Sequence, residues 1–475
     1  MTGPLDAALR RDAGAVASTP GGGAEVERLL ARALAETGKR AFLDAADSTQ
    51  RRLAAALEAE GYRPAAARRL ALRVVNLVVA RHHFHHRHTA LASRPFQLML
   101  DPVNNCHLSC PGCLHTANPA FAGAFDWPGG RLADEDYDRF LAEHGPLAFG
   151  LVLYNWGEPL LDKRTPELIR RAKRHRLHVC LSTNFSVRFD ADALVGSGLN
   201  FLFLSIDGAT QETYEKFRRG GDLGLCLDNV RRVLAARRRL GTGVPFVLWR
   251  YLTFEHNLHE VEPAMALARE LGVDQFSVTT PFAVDWDDPS VRAARSPLEG
   301  TYVLRADAVF KGPLDEADAA GVDETALGAE FERPWRERVG GSAGALDEPS
   351  RAAAPACAWL YQNLTLDARA RLFPCCMAPE IGRHKVYGPL PREAGAFNVP
   401  DLRSSRLAFA DRAAFDAEPE RAAESAPPYC AVCTEKPELT YTLERDVRRD
   451  LRLAEPRGVL PDDLVRRLTE WPASR

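Results

Sequence analysis

Between residues 96 and 280, short apolar runs alternate with longer stretches whose apolar positions recur every three or four residues. FQLMLDP (96–102), AFGLVLYN (148–155), LHVCLST (177–183), LNFLFLSID (199–207), VPFVLWRYLTF (244–254) and DQFSVTT (274–280) predict strands. DEDYDRFLAEH, PELIRRAKRH, LDNVRRVLAARRRLG and LHEVEPAMALARELG lie between them, each long enough for a crossover helix. Strand, helix, strand in this order predicts an α/β fold with a parallel sheet closing toward a barrel. Such sheets carry their chemistry at the C-terminal strand ends.

Ahead of this region, AEVERLLARALAETG and STQRRLAAALEAEG have the spacing of amphipathic helices, so residues 1–95 read as a helical extension. Behind it, residues 281–354 are rich in Pro, Gly and Ala and read as a connector lining the substrate pocket. Residues 355–436 hold five of the ten cysteines and form a small separate unit, followed by a helical tail at 437–475.

Lys plus Arg number 61 against 64 Asp plus Glu, a net charge of −3, which gives nucleic acid and anionic lipid no general attraction. The N-terminus has no signal-peptide pattern, and the best apolar run, Leu70–Ala80, is short and broken by Arg73 and Asn76. A cytoplasmic chain without membrane spans is expected. Gly61–Pro95 is the one basic stretch, with seven Arg, five His and no acid, including RHHFHHRH at 81–88. On a helix His82, His85 and His86 share a face, where a solvated helix end outweighs a metal site; a functional patch there would meet a phosphate.

In a reducing compartment clustered cysteines are metal ligands or catalysts more often than disulfides. Cys106, Cys110 and Cys113, in CHLSCPGC, converge on the loop after the first strand. Three thiolates leave one iron of a cubane open; taken alone, they would also bind zinc with His107 or His115. Polar motifs then end the next strands in order: GEP at Gly157–Pro159, STN at Ser182–Asn184 and SIDG at Ser205–Gly208.

On these motifs, residues 96–280 resemble the radical S-adenosylmethionine (SAM) superfamily, whose fold is a partial (β/α)6 TIM-like barrel. The resemblance implies a 4Fe-4S cluster on Cys106, Cys110 and Cys113, with SAM bound at its open iron. Gly157 and Glu158 would meet the methionine ammonium, Ser182, Asn184, Ser205 and Asp207 the carboxylate and ribose, and Arg219 the carboxylate. Trp156 departs from the usual GGEP, and Gly112 stands where an aromatic residue is frequent.

Cys357, Cys375, Cys376, Cys430 and Cys433 resemble the auxiliary-cluster region of SPASM and twitch domains, with CAWLYQNLTLDARARLFPCC reading as ligand, hairpin and ligand. That resemblance implies a second 4Fe-4S cluster on Cys357, Cys375, Cys430 and Cys433, Cys376 being spare; a four-thiolate zinc site is the alternative. Cys180 and Cys226 read as small buried residues.

The family's reaction cleaves SAM to a 5'-deoxyadenosyl radical that abstracts hydrogen, with a flavodoxin or ferredoxin as low-potential electron donor. A single auxiliary cluster, accepting the second electron, favours an oxidoreductase acting on a sugar, aminocyclitol or nucleoside in specialised-metabolite biosynthesis. Arg250 and Tyr251, with His256 beyond them, are places to look for its proton partner, and Cys376 for a hydrogen donor in epimerisation. The alternatives are a maturase or epimerase acting on a ribosomally made peptide, which the cysteine count and the want of an obvious winged-helix segment in 1–95 disfavour, and a redox-neutral radical elimination. A non-enzymatic cluster protein would not need GEP, STN and SIDG.

Overall fold

The computed structural model describes residues 28, 29, 32, 38–59, 61–86, 88, 90–113, 129–281, 291–305, 324–339, 343–347, 359–373 and 388–389. All six expected strands form, shorter than their apolar runs: β1 (Gln97–Leu100), β2 (Gly150–Val152), β3 (His178–Thr183), β4 (Phe201–Ser205), β5 (Phe246–Leu252) and β6 (Gln275–Thr279). They pair in parallel in chain order. This is the partial (β/α)6 barrel, left open, within a ten-stranded sheet.

Two faces of the sheet divide by strict alternation. On one face Leu181, Leu202, Leu204, Val247, Trp249, Tyr251, Phe276 and Val278 are buried in one cluster with helix residues such as Tyr137, Phe140, Ile169, Leu194 and Val233. At roughly 1.5–3 kcal/mol per fully buried large side chain, this layer is the main hold on the sheet. The opposite face begins with a small apolar floor of Cys180, Phe201, Phe246 and Leu248. Above that floor Ser182, Ser205, Arg250 and Ser277 make this face polar beside Phe203 and Leu252, toward the C-terminal strand ends.

The N-terminal helices α1 (Lys39–Ala59) and α2 (Pro64–His85) pack on each other and on Phe96, Leu147 and Phe149 at the strand entrances. Arg73 and Asn76, which interrupt the apolar run of α2, are its clamps. Arg73 is buried and donates to the carbonyls of Gly145 (2.9 Å), Pro146 (3.2 Å), His175 (2.7 Å) and Arg176 (3.1 Å), all in turns leading into β2 and β3. Asn76 closes a two-way bond with Arg94, donating at 3.0 Å and accepting at 2.9 Å. The extension therefore caps the barrel end away from the cysteine loop. Among the described residues no helix is long and apolar enough to cross a membrane.

In the described part of the histidine run His82, His83 and His88 are buried, unlike a solvated helix end. His82 stacks on Phe42 with ring centroids 3.6 Å apart, and the fully buried His83 accepts from the Ala92 amide at 3.0 Å. Apolar partners on α1 supply what the solvated reading left out.

Part of the expected connector packs elsewhere than at the catalytic end. β7 (Gly300–Val303) extends the sheet antiparallel to β6. The segment from α3 (Glu324–Glu332) to Arg338 returns to α1: Gln50 donates to the Phe331 carbonyl (2.7 Å) and accepts from Trp335 Nε1 (2.9 Å). The hairpin β8 (Asn363–Leu366) and β9 (Arg371–Phe373) has its turn at 367–370, as the sequence predicts. Strand β8 pairs in parallel with β1, so the Cys-rich stretch enters through the barrel sheet itself. β10 (Gly388–Pro389) pairs with β9 at the sheet edge.

Candidate active site

Asp101, one residue past β1, organises the loop after β2. Its fully buried carboxylate accepts from the backbone N–H groups of Asn155 (2.6 Å), Trp156 (2.9 Å) and Gly157 (3.3 Å). Burial pushes its pKa up to about 7, and the three N–H donors oppose that rise. Asp101 escaped the sequence reading because LDP reads only as a strand end. The GEP loop then touches the cysteine loop backbone to backbone: a Cβ on Gly157 would collide with the Val103 carbonyl, and the Glu158 amide donates to the Asn105 carbonyl at 2.9 Å. The preceding Trp156 meets no such limit and packs at the edge of the core.

Glu158 ties the second and third loops together. It accepts from Thr183 Oγ1 (2.7 Å), the Asn184 amide (2.8 Å) and the Leu160 amide (3.1 Å) while buried. Burial raises its pKa and these bonds resist the shift. Next in the chain, the fully buried Phe185 sits at φ 62°, left-handed backbone that costs a bulky residue about 1–3 kcal/mol. Thr183 Oγ1, accepting from the Phe185 amide at 3.0 Å, and Asn229 Nδ2, donating to its carbonyl at 2.9 Å, hold that turn. Asn184 is thereby set with Nδ2 3.8 Å from Cys106 Sγ.

After β4, Asp207 is fully buried and accepts from Arg218 Nε (2.6 Å) and the Leu252 amide (2.7 Å). The other end of the Arg218 guanidinium lies 3.9 Å from Cys110 Sγ. Of the FRRGG pair, the structure brings Arg218 to the cysteines; Arg219 was expected at the SAM carboxylate. The Arg219 carbonyl instead accepts from the Ser109 amide at 3.0 Å, pinning the cysteine loop.

Cys106, Cys110 and Cys113 lie among Leu108, Phe217, Leu252, Phe254 and Val291. In these surroundings burial pushes the Cys106 thiol up to about 12 and raises that of Cys110, so thiolates at these two need cationic compensation. N–H donors from Asn184 and Arg218 aim at two of the sulfurs, as outer contacts to a metal–thiolate group do. Of the two histidines weighed as zinc ligands, His107 has Nε2 2.8 Å from the Ser186 carbonyl, and His115 lies outside the described residues. This donor set fits an iron–sulfur cluster.

Beside the cysteines, the polar part of the open sheet face forms a row. Ser205, Arg250, Ser277 and Thr301 are in-register neighbours across β4, β5, β6 and β7. Ser182 lies 3.4 Å from Ser205 Oγ and receives Arg250 NH2 at 3.4 Å. Tyr251, expected beside Arg250 in the chemistry, points the other way. It is fully buried in the helix-facing layer, donates to the Asn257 carbonyl at 2.9 Å and has its pKa raised by burial. Alternation along β5 permits only one of the two neighbours on the open face. His256 stacks on Phe254 (centroids 5.5 Å) and, with its pKa lowered by burial, favours the neutral ring. Cys357, Cys375, Cys376, Cys430 and Cys433 lie outside the described residues.

Residues 100–284 match the family model of the Radical SAM superfamily. Over that span the chain is similar to radical SAM domains, for which a 4Fe-4S cluster and SAM are the expected cofactors. A PqqA peptide cyclase of Gluconobacter oxydans (strain 621H) is 29% identical over 191 residues, covering 40% of this chain and 50% of that protein. An AdoMet-dependent heme synthase of Methanosarcina barkeri (strain Fusaro / DSM 804) is 25% identical over 191 residues, 40% of this chain and 51% of that protein. The chain thus spans about half the length of the curated relatives it matches. Among solved structures, Streptococcus suis SuiB bound to S-adenosylmethionine aligns with a TM-score of 0.39 at 13% identity, over 68% of this chain and 69% of that one.

Proposed function

We propose that this radical SAM enzyme modifies a peptide, forming a new bond at an unactivated carbon. The observation that carries the reading is the match of the barrel to a peptide cyclase. It displaces the oxidation of a sugar, aminocyclitol or nucleoside as the leading expectation, which rested on the cysteine count and the want of an obvious winged-helix segment in 1–95. The match to a heme synthase keeps a small-molecule substrate as the competing outcome of the test.

Cys106, Cys110 and Cys113 would hold the cluster, and Gly157, Glu158, Ser182, Asn184 and Ser205 would frame SAM. Bound there, the pair supplies a carbon-centred radical able to take hydrogen from a C–H bond. The chain's own residues position and shield. Asp101 and Glu158 lock the loops after β1, β2 and β3 to one another, and Leu108, Phe217, Phe254 and Val291 exclude water beside the thiolates. Asp207 acts through Arg218, which it orients toward Cys110. The reading extends to an auxiliary cluster on Cys357, Cys375, Cys430 and Cys433, with an external low-potential reductant.

The test is anaerobic incubation of the reconstituted enzyme with SAM, dithionite and candidate precursor peptides, followed by tandem mass spectrometry. A peptide that loses two hydrogens at a new internal linkage, with formation of 5'-deoxyadenosine, is the expected result. Conversion of a polyol to a ketone with no peptide altered would overturn it.

A further inference from the structure

We infer that Arg250 is the anchor of a carboxylate-binding subsite on the open face of the sheet, where it receives a ligand group. Arg250 lies midway along β5 on the face that carries Ser205, Ser277 and Thr301, its in-register neighbours. Its guanidinium is held from below by the Phe203 ring, 4.8 Å from the centroid, and from one side by Ser182 Oγ at 3.4 Å. Among the described residues no carboxylate pairs with it, and its Nε is shielded from solvent with no hydrogen-bond partner. Arg218, beside the cysteines, differs: it has Asp207.

A guanidinium offers five donors in a flat fork, and a shielded N–H without an acceptor is costly to leave unmade. Ring and hydroxyl contacts satisfy little of that fork. What remains fits the two oxygens of a carboxylate, the geometry arginine recognises best. A single cation among neutral hydroxyls compensates one negative charge, which favours a carboxylate over a doubly charged phosphate. Ser182 Oγ, Ser205 Oγ and Ser277 Oγ stand ready to donate to the same anion.

Ser182 is two residues from Asn184, whose amide reaches Cys106 Sγ, so the subsite adjoins the candidate cluster site. Two carboxylates would come that close: the methionine carboxylate of SAM, and an acidic group of the substrate. The second source rests on the peptide reading above; the subsite itself does not.

The test measures binding without turnover on anaerobically reconstituted enzyme, for the native chain, Arg250→Gln and Arg250→Lys. The probes are SAM, N-acetyl-glutamate amide and, as neutral isostere, N-acetyl-glutamine amide, the last two added with SAM present. Loss of a charge-assisted bidentate contact should weaken the relevant probe tenfold or more in Arg250→Gln, with partial rescue in Arg250→Lys. A fall for SAM supports the subsite and assigns it to the cofactor. Unchanged SAM affinity, with the glutamate probe losing its advantage over the glutamine probe, supports it and assigns it to the substrate. Equal affinities of native chain and Arg250→Gln for every probe, at equal iron content and unfolding midpoint, overturn it. Because no peptide product is read, failure of the peptide reading leaves this outcome intact.

Discussion

Arg218 and Asp207 form a buried ion pair, Nε to Oδ2 at 2.6 Å, whose free end reaches toward the Cys110 sulfur. A cation beside a thiolate ligand stabilises the more negative, reduced cluster. Arg218→Met should therefore lower the cluster's midpoint potential. It should also destabilise the fold by about 3–5 kcal/mol, because the Asp207 carboxylate is left buried and unpaired. The double variant Arg218→Met with Asp207→Asn separates the effects: stability should largely return while the potential stays low. A spectroscopic redox titration of the three proteins decides, and an unchanged potential in both variants would remove the electrostatic role.

Gly157 is fixed by contact. With the Val103 carbonyl where a Cβ would stand, Gly157→Ala must push the loops after β1 and β2 apart. The helix-facing core is not involved, so far-ultraviolet circular dichroism should be retained while iron bound after reconstitution falls by about four per chain. Trp156→Gly, one residue earlier, should leave iron content unchanged. If Gly157→Ala binds iron normally, the backbone contact does not set the cysteine loop.

Much of this was legible in the sequence, for identifiable reasons. Each barrel strand carries its own apolar run, and Cys106, Cys110, Cys113, Gly157, Glu158, Ser182 and Asn184 lie at strand ends because topology sends every such end to one rim. What escaped depends on partners distant in sequence. Asp101 matters through amides at 155–157, and Arg218 through Asp207 on one side and Cys110 on the other. Arg73 and Asn76 looked like interruptions of an apolar run, but they bond to carbonyls up to 103 residues away. Tyr251 was misplaced for a simpler reason, since a one-residue step along β5 changes face.

The proposed auxiliary cluster has an independent count. Reconstituted enzyme should hold about eight irons per chain, and the triple variant Cys106→Ala, Cys110→Ala, Cys113→Ala about four. Adding Cys430→Ala and Cys433→Ala should remove the remainder. Four irons in the native protein, falling to none in the triple variant, would limit the iron to the barrel. Stoichiometric zinc alongside those four would assign the C-terminal cysteines to a structural zinc site.

Asp101 sets two effects against each other, and pH tells which wins. Burial favours its neutral form and three backbone N–H groups favour the carboxylate; the net result is a folded pKa of about 7, against roughly 3.9 unfolded. Since the folded value is the higher, the folded state binds the extra proton between these limits. Its contribution to stability is therefore complete below about pH 4 and is lost as pH rises through about 7. The slope is about 1.4 kcal/mol per unit at most, and the span on the order of 4 kcal/mol. Asp101→Asn cannot titrate, so the stability of the native chain relative to this variant should decline from about pH 5 to 7 and level off above. Denaturant unfolding of both proteins across that range checks it. A relative stability that climbs with pH would mean that the amides of Asn155, Trp156 and Gly157 outweigh burial, and that Asp101 clamps the GEP loop as a carboxylate at every pH tested.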